Sequence, residues 1–145
     1  MATNPDFIPE KCTIVYRTVE TATTVTVGAG VKDGNADHEC QPLGAVTDLP
    51  IGIVVSIGGN PAVTAGAAGD RVGIALLIGG VVPAKIGAGG ATRGQSAIYI
   101  SATALGDGIP SDTTPTYTWA LGYFTQTGAS GDLVGLALCR HSFPS

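Results

Sequence analysis

Short apolar runs separated by turn-forming residues recur along the whole chain. Val, Ile, Thr and Tyr dominate the runs, while Gly, Asp, Asn or Pro stand between them, and this alternation is typical of strands joined by tight turns. Gly and Pro, 22 and 9 in number, interrupt every stretch in which a helical stripe of apolar residues could develop. The pattern predicts strands over residues 12–19, 23–27, 44–46, 51–57, 71–77, 81–86, 96–101, 116–125 and 133–140.

Strands of this number and spacing predict an all-β fold, a small β-sandwich or barrel of jelly-roll-like type. Residues 1–10 contain two prolines and no strand pattern, so we expect an extended N-terminal arm there. Residues 11–145 are then expected to form a single β domain, because a chain of this length buries one core. The polar, Pro-rich segment between Gly106 and Thr116 is predicted to be the longest surface loop.

One pattern occurs twice in the chain. Residues 66–76 and 128–138 share the sequence Gly-Ala-x-Gly-Asp-x-Val-Gly-x-Ala-Leu at an offset of 62. A shorter echo precedes each copy, at residues 50–54 and 120–124. Each unit is typical of a strand, a Gly-rich turn and a second strand, and two such hairpins can bury their apolar residues against each other or around a barrel. We expect the glycine at the third position of each strand to mark a bulge, a bend or a close backbone approach.

The composition points to contact with other proteins. Hydrophobic residues make up 44% of the chain and charged residues 12%, about half of the roughly 25% that is usual in soluble domains. A chain with so little charge and a mean hydropathy of +0.33 favours covering part of its apolar surface with partners.

Charge and targeting signals exclude other classes of partner. The net charge is −4 and the seven basic residues are dispersed, which argues against nucleic acid and against an anionic membrane surface. The N-terminal residues do not resemble a secretory signal, and Gly and Pro break the longest apolar stretch, 72–84. We therefore expect a soluble protein made in the cytoplasm. Cys12, Cys40 and Cys139 contain no Cys-x-x-Cys pair and are predicted to be reduced, partly buried thiols.

Motifs that could carry chemistry favour structural interpretations. The glycine-rich segment 87–94 matches no phosphate-binding loop. Asp70 and Asp132 follow glycines at strand entries, where an aspartate usually accepts hydrogen bonds from nearby backbone and fixes the turn.

A zinc set is a weaker alternative, because His38, Cys40, Cys139 and His141 could meet only if their two strands paired. The sequence therefore predicts no catalytic residue, no metal site and no cofactor.

Aromatic and apolar residues supply the candidate contacts. Tyr117, Trp119, Tyr123 and Phe124 cluster on one predicted strand. Strict alternation would place the first three on one face, and core packing is favoured for the cluster over a role as an interface anchor. The apolar pair in the arm gains little unless it docks on a partner. We therefore predict partner binding by Asn4, Pro5, Phe7 and Ile8.

Five short motifs between residues 50 and 138 resemble a known family. They are Ile51-Gly52-Ile53-Val54, Ala68-Gly69-Asp70-x-Val72, Gly80-Val81-Val82, Lys85-Ile86-Gly87-Ala88 with Gly90-Ala91-Thr92-Arg93-Gly94, and Leu121-Gly122-Tyr123 before Gly131-Asp132-x-Val134. They resemble tailed-phage capsid decoration, or cement, proteins. The resemblance implies an all-β virion protein that is made in the host cytoplasm and binds the outside of an icosahedral capsid. It also implies dimers or trimers that lie over junctions between major capsid protein subunits, and no catalytic residue.

Two other functions compete with this one. The first is another structural or receptor-binding module of the same virion. The second is a Gly-rich β-trimer enzyme whose active site forms between subunits, with Asp70, Asp132 or His38 in the pocket. Within the capsid hypothesis, we expect residues 1–10 to become ordered on the shell.

Overall fold

The computed structural model describes residues 5–60, 62–108 and 118–143. Regular structure in these ranges is β, apart from a 3-10 turn at Pro9–Lys11. The predicted all-β fold is confirmed. The strands are β1 Ile14–Val19, β2 Thr24–Thr26, β3 Gly30–Asp33, β4 Glu39–Pro42, β5 Gly52–Ile57, β6 Ala65–Ala67, β7 Arg71–Leu76, β8 Val81–Lys85, β9 Ser96–Ser101, β10 Ala104–Gly108, β11 Thr118–Phe124 and β12 Leu133–Phe143.

Two five-stranded sheets contain most of these strands. The first is a closed barrel in the order β1-β4-β3-β5-β7. The second is a curled sheet in the order β10-β9-β11-β12-β8, and β2 pairs separately with β6. The barrel alternative is thus confirmed, whereas the jelly-roll order is not.

Both sheets follow the same path of the chain. Strands β1, β3, β4, β5 and β7 of the first barrel correspond to β8, β9, β10, β11 and β12 of the second sheet, with the same neighbours in each. Parallel pairing of Val19 with Cys40 closes the first barrel. An isolated parallel bridge between Ile86 and Leu105 lies at the corresponding place in the second sheet. The repeat seen in the sequence therefore extends to two complete sheets.

Equivalent turns begin β7 and β12. The Asp70 carboxylate accepts a hydrogen bond from the Ala67 N–H at 3.0 Å, and the Asp132 carboxylate accepts one from the Ala129 N–H at 3.0 Å. The structural role predicted for both aspartates is confirmed, since each holds its turn in the shape that starts the strand.

The glycine before each aspartate is required by the same turn. Gly69 and Gly131 have φ angles of +89° and +94°, a region that side-chain-bearing residues rarely occupy. Each donates its N–H to the end of the neighbouring strand, Gly69 to the Val19 carbonyl and Gly131 to the Ile86 carbonyl. The two copies of the pattern thus share backbone conformation and hydrogen bonding.

Apolar side chains pack in two clusters. One fills the first barrel and includes Val31, Val54 and Ile74. The other fills the second sheet and also takes in Ile53 and Leu77 from the first. Ile53 and Val54 are adjacent and fully buried but belong to different clusters, because successive residues of a strand point to opposite faces. The two sheets therefore share one apolar layer, while the single domain over residues 11–145 stays a prediction.

The strand predicted over residues 44–46 is wrong. Gly44 and Ala45 instead donate their N–H groups to the Asp48 carboxylate, at 2.8 and 3.1 Å. The Lys32 ammonium group donates to the same oxygen at 2.9 Å. A carboxylate that accepts three donors fixes a turn here, and local side-chain bonding of this kind competes with strand pairing.

Four observed strands were not predicted. They are Gly30–Asp33, Glu39–Pro42, Ala65–Ala67 and Ala104–Gly108. All are three to five residues long, and at least half of the positions in each are Gly, Ala, Pro or charged residues, which have low intrinsic strand preference. Their pairing partners, rather than their own composition, make them strands.

We expect Asp48→Asn to lower the free energy of unfolding by about 1–3 kcal/mol at pH 7. The hydrogen bond from Lys32, together with those from Gly44 and Ala45, lowers the pKa of Asp48 despite partial burial. A carboxyl with a lowered folded-state pKa stabilises the protein above its unfolded value, and this stabilisation is lost as pH falls through the folded value.

Urea unfolding of wild type and variant at pH 7 and at pH 3 measures this effect. The difference between them should shrink at pH 3, and an equal difference at both pH values would contradict the assignment. Asp37→Asn, which changes an exposed carboxylate, is the control and should have little effect at either pH.

Candidate interaction surface

Some of the N-terminal residues that were predicted to bind a partner contact the rest of the chain. Asn4 falls outside the described residues, and Pro5 is half-buried. Ile8 donates its N–H to the Val81 carbonyl at 2.9 Å, beside β8. Phe7 is 51% exposed and borders a shallow apolar hollow lined by Val27, Val54, Val55, Pro83 and Leu133.

Polar contacts attach the same segment to the second sheet. The Asp6 N–H donates to Gln126 Oε1 at 2.9 Å, and the Asp6 carboxylate accepts from the Thr125 hydroxyl at 2.7 Å. Gln126 Oε1 also accepts from the Gly135 N–H. An extended arm separate from the core is therefore not confirmed for residues 5–10, and partner binding by Phe7 and Ile8 stays a prediction.

The aromatic residues of β11 do not follow strict alternation. Against β9, Leu121 is an extra residue between the pairs Ala120–Ile98 and Gly122–Ala97, and this bulge interrupts the alternation along β11. Phe124 is buried as a core residue, whereas Tyr123 is 44% exposed. Core packing is thus confirmed for Phe124 and wrong for Tyr123. Tyr117 lies outside the described residues.

Tyr123 belongs to an ordered surface group that the sequence did not reveal. Its ring stacks on His141, with centroids 4.7 Å apart and planes 11° from parallel. His141 Nδ1 lies 2.9 Å from the Cys139 carbonyl and Nε2 lies 3.1 Å from the Ser96 hydroxyl. A carbonyl only accepts, so Nδ1 carries the proton of the neutral ring and Nε2 accepts from Ser96.

This arrangement places a hydroxyl beside a base, as nucleophilic catalysis requires. The group that orients the imidazole is a backbone carbonyl, which lacks the full charge with which a carboxylate stabilises an imidazolium. Tyr123 and His141 form a preorganised aromatic surface, whose side chains lose little entropy when a partner binds.

Further exposed apolar side chains flank strands β5 and β7 of the first barrel. Leu49 and Ile78 are 48% and 72% exposed, and a shallow hollow next to Ile78 is lined by Ile51, Leu76, Leu77 and Arg140. The Arg140 guanidinium donates to the Pro50 carbonyl at 3.1 Å and lies 5.7 Å from the centroid of the Trp119 ring. Large aliphatic side chains beside Trp and Arg are typical of protein interfaces.

The predicted zinc and enzyme alternatives gain no support from geometry. Cys40 is buried inside the first barrel, whereas Cys139 is exposed on β12. In the parts of the chain that the structure describes, no three His, Cys, Asp or Glu side chains are grouped to hold a metal ion. His38, Asp70 and Asp132 therefore do not converge within one chain.

The cysteines behave as separate thiols. Cys12, Cys40 and Cys139 are all free. Burial raises the pKa of Cys40 to about 11, against a smaller opposing effect of Arg17. Its thiol therefore stays protonated near neutral pH and is unreactive.

Within residues 5–60, 62–108 and 118–143, no helix is long and apolar enough to cross a membrane.

Comparison with known proteins supports the fold. No protein-family model matches the sequence, and no curated protein matches it significantly. Among solved structures, the head fiber gp8.5 N base of bacteriophage phi29 is similar, with a TM-score of 0.56 and 16% sequence identity. The similarity covers 87% of this chain and 94% of the phage chain, so the two proteins share a fold.

Proposed function

We propose that this chain is a structural protein of a tailed-phage virion that binds the outside of an icosahedral capsid and cements neighbouring major capsid protein subunits. The observation that carries the proposal is the similarity in fold to a phage head fiber base over nearly the whole of both chains. The short motifs that resemble capsid decoration proteins agree with it. The partners are the major capsid protein and further copies of the chain, on a capsid assembled in the host cytoplasm.

The surface of the protein suits this role. Phe7, Tyr123 and Ile78 are large, exposed and apolar or aromatic, and they lie on different parts of the molecule. Contacts of this kind use apolar area, and the low charge of the chain reduces the cost of removing charged groups from water. The chain acts by binding, without catalysis, nucleic acid or membrane.

Cementing follows from binding only the assembled shell. A protein that binds the closed capsid and not the separated subunits shifts the equilibrium towards the capsid by mass action. When copies are joined, modest contacts combine and avidity rises by roughly 10² to 10⁴.

Co-sedimentation with undecorated capsids tests the proposal. We expect saturation at a copy number fixed by the capsid symmetry and a higher temperature of capsid disruption. Phe7→Glu should weaken binding about 30-fold or more if this residue is an interface hot spot. Val63→Glu, at another exposed apolar position, is the matched control. Failure to bind capsids at micromolar concentrations would exclude the proposal.

An anchoring base for a capsid appendage is the second candidate, because the similar phage chain is the base of a head fiber. Such a base would bind the capsid without raising the temperature at which the capsid comes apart. The same experiment therefore separates the two functions.

A further inference from the structure

Within one chain, the second sheet covers one face of the first barrel. We call Gly30, Ile53, Ala75 and Leu77 the covered face. All four are buried, although Ile53 and Ala75 point away from the interior of the barrel.

Leu121, Leu138 and Arg140 of the second sheet form the covering edge. Leu121 packs on the bare backbone of Gly30, where an added methyl group would lie 2.8 Å from Leu121 Cδ2. The backbone N–H of Arg140 donates to the Leu77 carbonyl, and its guanidinium group donates to the Pro50 carbonyl.

Strand pairing identifies the counterpart of each residue in the other sheet. Gly52 pairs with Leu76 as Gly122 pairs with Leu138, and Ile53 pairs with Ala75 as Tyr123 pairs with Ala137. On the next strand, Gly30 pairs with Ile53 as Ser96 pairs with Tyr123. The repeat offset of 62 extends the match from Leu77 to Cys139 and from Ile78 to Arg140.

Among the residues that the structure describes, no sheet packs on the counterpart of the covered face. It consists of Ser96, Tyr123, Ala137 and Cys139, which we call the open face. Ile53 is 0% exposed on the covered face, whereas Tyr123 at the equivalent position is 44% exposed. His141 stacks on Tyr123 and fixes its ring at this surface.

The counterpart of the covering edge is likewise partly exposed within the described part of the chain. Ile51, Leu76 and Ile78 of the first barrel line one hollow and form this open edge. Leu121 and Leu138 are buried, but Ile51 and Leu76 are only half-buried and Ile78 is 72% exposed. At these positions each sheet exposes apolar or aromatic residues whose counterparts, apart from the exposed Arg140, are buried within the chain. Arg140 borders the open edge, because it lines the same hollow as Ile51, Leu76 and Ile78.

We propose that a second copy of the chain occupies these surfaces, with the open edge of one copy on the open face of the next. This head-to-tail contact repeats between chains the packing of the two sheets within a chain. Because its two sides differ, the contact adds one copy at each step. It gives a discrete ring where the rotation between copies closes on itself, and an open filament where it does not. The inference deepens the self-association in the proposed function and requires no capsid.

Analytical ultracentrifugation of the full chain at micromolar concentrations tests the proposal. We expect wild type to sediment as one discrete oligomer. Tyr123→Glu disrupts the open face and Ile78→Glu disrupts the open edge, and each change should weaken self-association about 30-fold or more. Tyr16→Glu and Val63→Glu, at exposed positions outside both surfaces, are the controls and should leave the oligomer intact. A monomeric wild type would overturn the proposal.

Mixing the two variants provides the sharper test. The Tyr123→Glu chain keeps its open edge and the Ile78→Glu chain keeps its open face, so an equimolar mixture should form a dimer with one intact contact. A symmetric contact in which Tyr123 meets Tyr123 would not be restored by mixing, and absence of the mixed dimer would refute the head-to-tail arrangement.

Circular dichroism confirms the fold of each variant, and Tyr123→Ser with Ile78→Ser replaces any pair that fails to fold. A wild-type oligomer that does not bind capsids would support this inference and contradict the proposed function.

Discussion

Gly122→Ala is expected to lower the free energy of unfolding by about 3 kcal/mol or more. A methyl group at position 122 would overlap the Ala137 carbonyl oxygen, which belongs to the backbone of the paired strand. Backbone cannot rotate out of the way as a side chain can, so β11 and β12 would have to separate. The equivalent Gly52 is in the same position against the Ala75 carbonyl oxygen, and Gly52→Ala should have an effect of the same size.

Urea unfolding monitored by circular dichroism measures both changes. Gly44→Ala is the matched control, because its methyl group would lie 3.4 Å from Asp48 Oδ2, an ordinary contact. It should change stability by under about 0.5 kcal/mol. If Gly122→Ala were equally mild, the close approach of β11 and β12 would be wrong.

Phe124→Ala should cost about 3–5 kcal/mol, a large part of the roughly 5–15 kcal/mol that stabilises a domain. Phe124 is 2% exposed and packs in the cluster that both sheets share. It occupies the position that Val54 has in the first barrel, while the smaller Ala97 replaces Val31. The large ring and the small neighbour compensate each other, so truncation of the ring leaves a cavity that Ala97 cannot fill.

Thermal and urea unfolding provide the measurement for Phe124→Ala. Tyr16→Ala removes an exposed aromatic side chain that interacts with Arg71, and its cost should stay below about 1 kcal/mol. A loss of under 1 kcal/mol for Phe124→Ala would show that the ring is not part of the shared core.

The strands that the sequence predicted are those that carry their own signal. β5, β7, β9 and β12 are rich in β-branched or other large apolar residues and are bounded by turn residues, so local composition suffices. β4, with the sequence Glu-Cys-Gln-Pro, has no such signal. It is a strand because it pairs with β3 and closes the barrel against β1, and this long-range pairing cannot be read locally.

The candidate surface was predictable only in part. The composition indicated binding, and the repeat indicated two related units. Strict alternation assigned Tyr123 to the core, and the assignment was wrong because the sequence does not reveal the bulge at Leu121 that interrupts the alternation. The stacking of Tyr123 on His141, which lie on neighbouring strands far apart in the chain, depends on that bulge and has no motif in the sequence.

The separation of strand pairings along the chain has a consequence for biosynthesis. All pairings of the first barrel lie within residues 14–76, and all those of the second sheet lie within 81–143. A ribosome adds about 5–20 residues per second, so the first barrel can close seconds before the second sheet has been translated. During that interval the face around Ile53 is exposed to solvent, and neighbouring nascent chains on one messenger RNA can dock there prematurely.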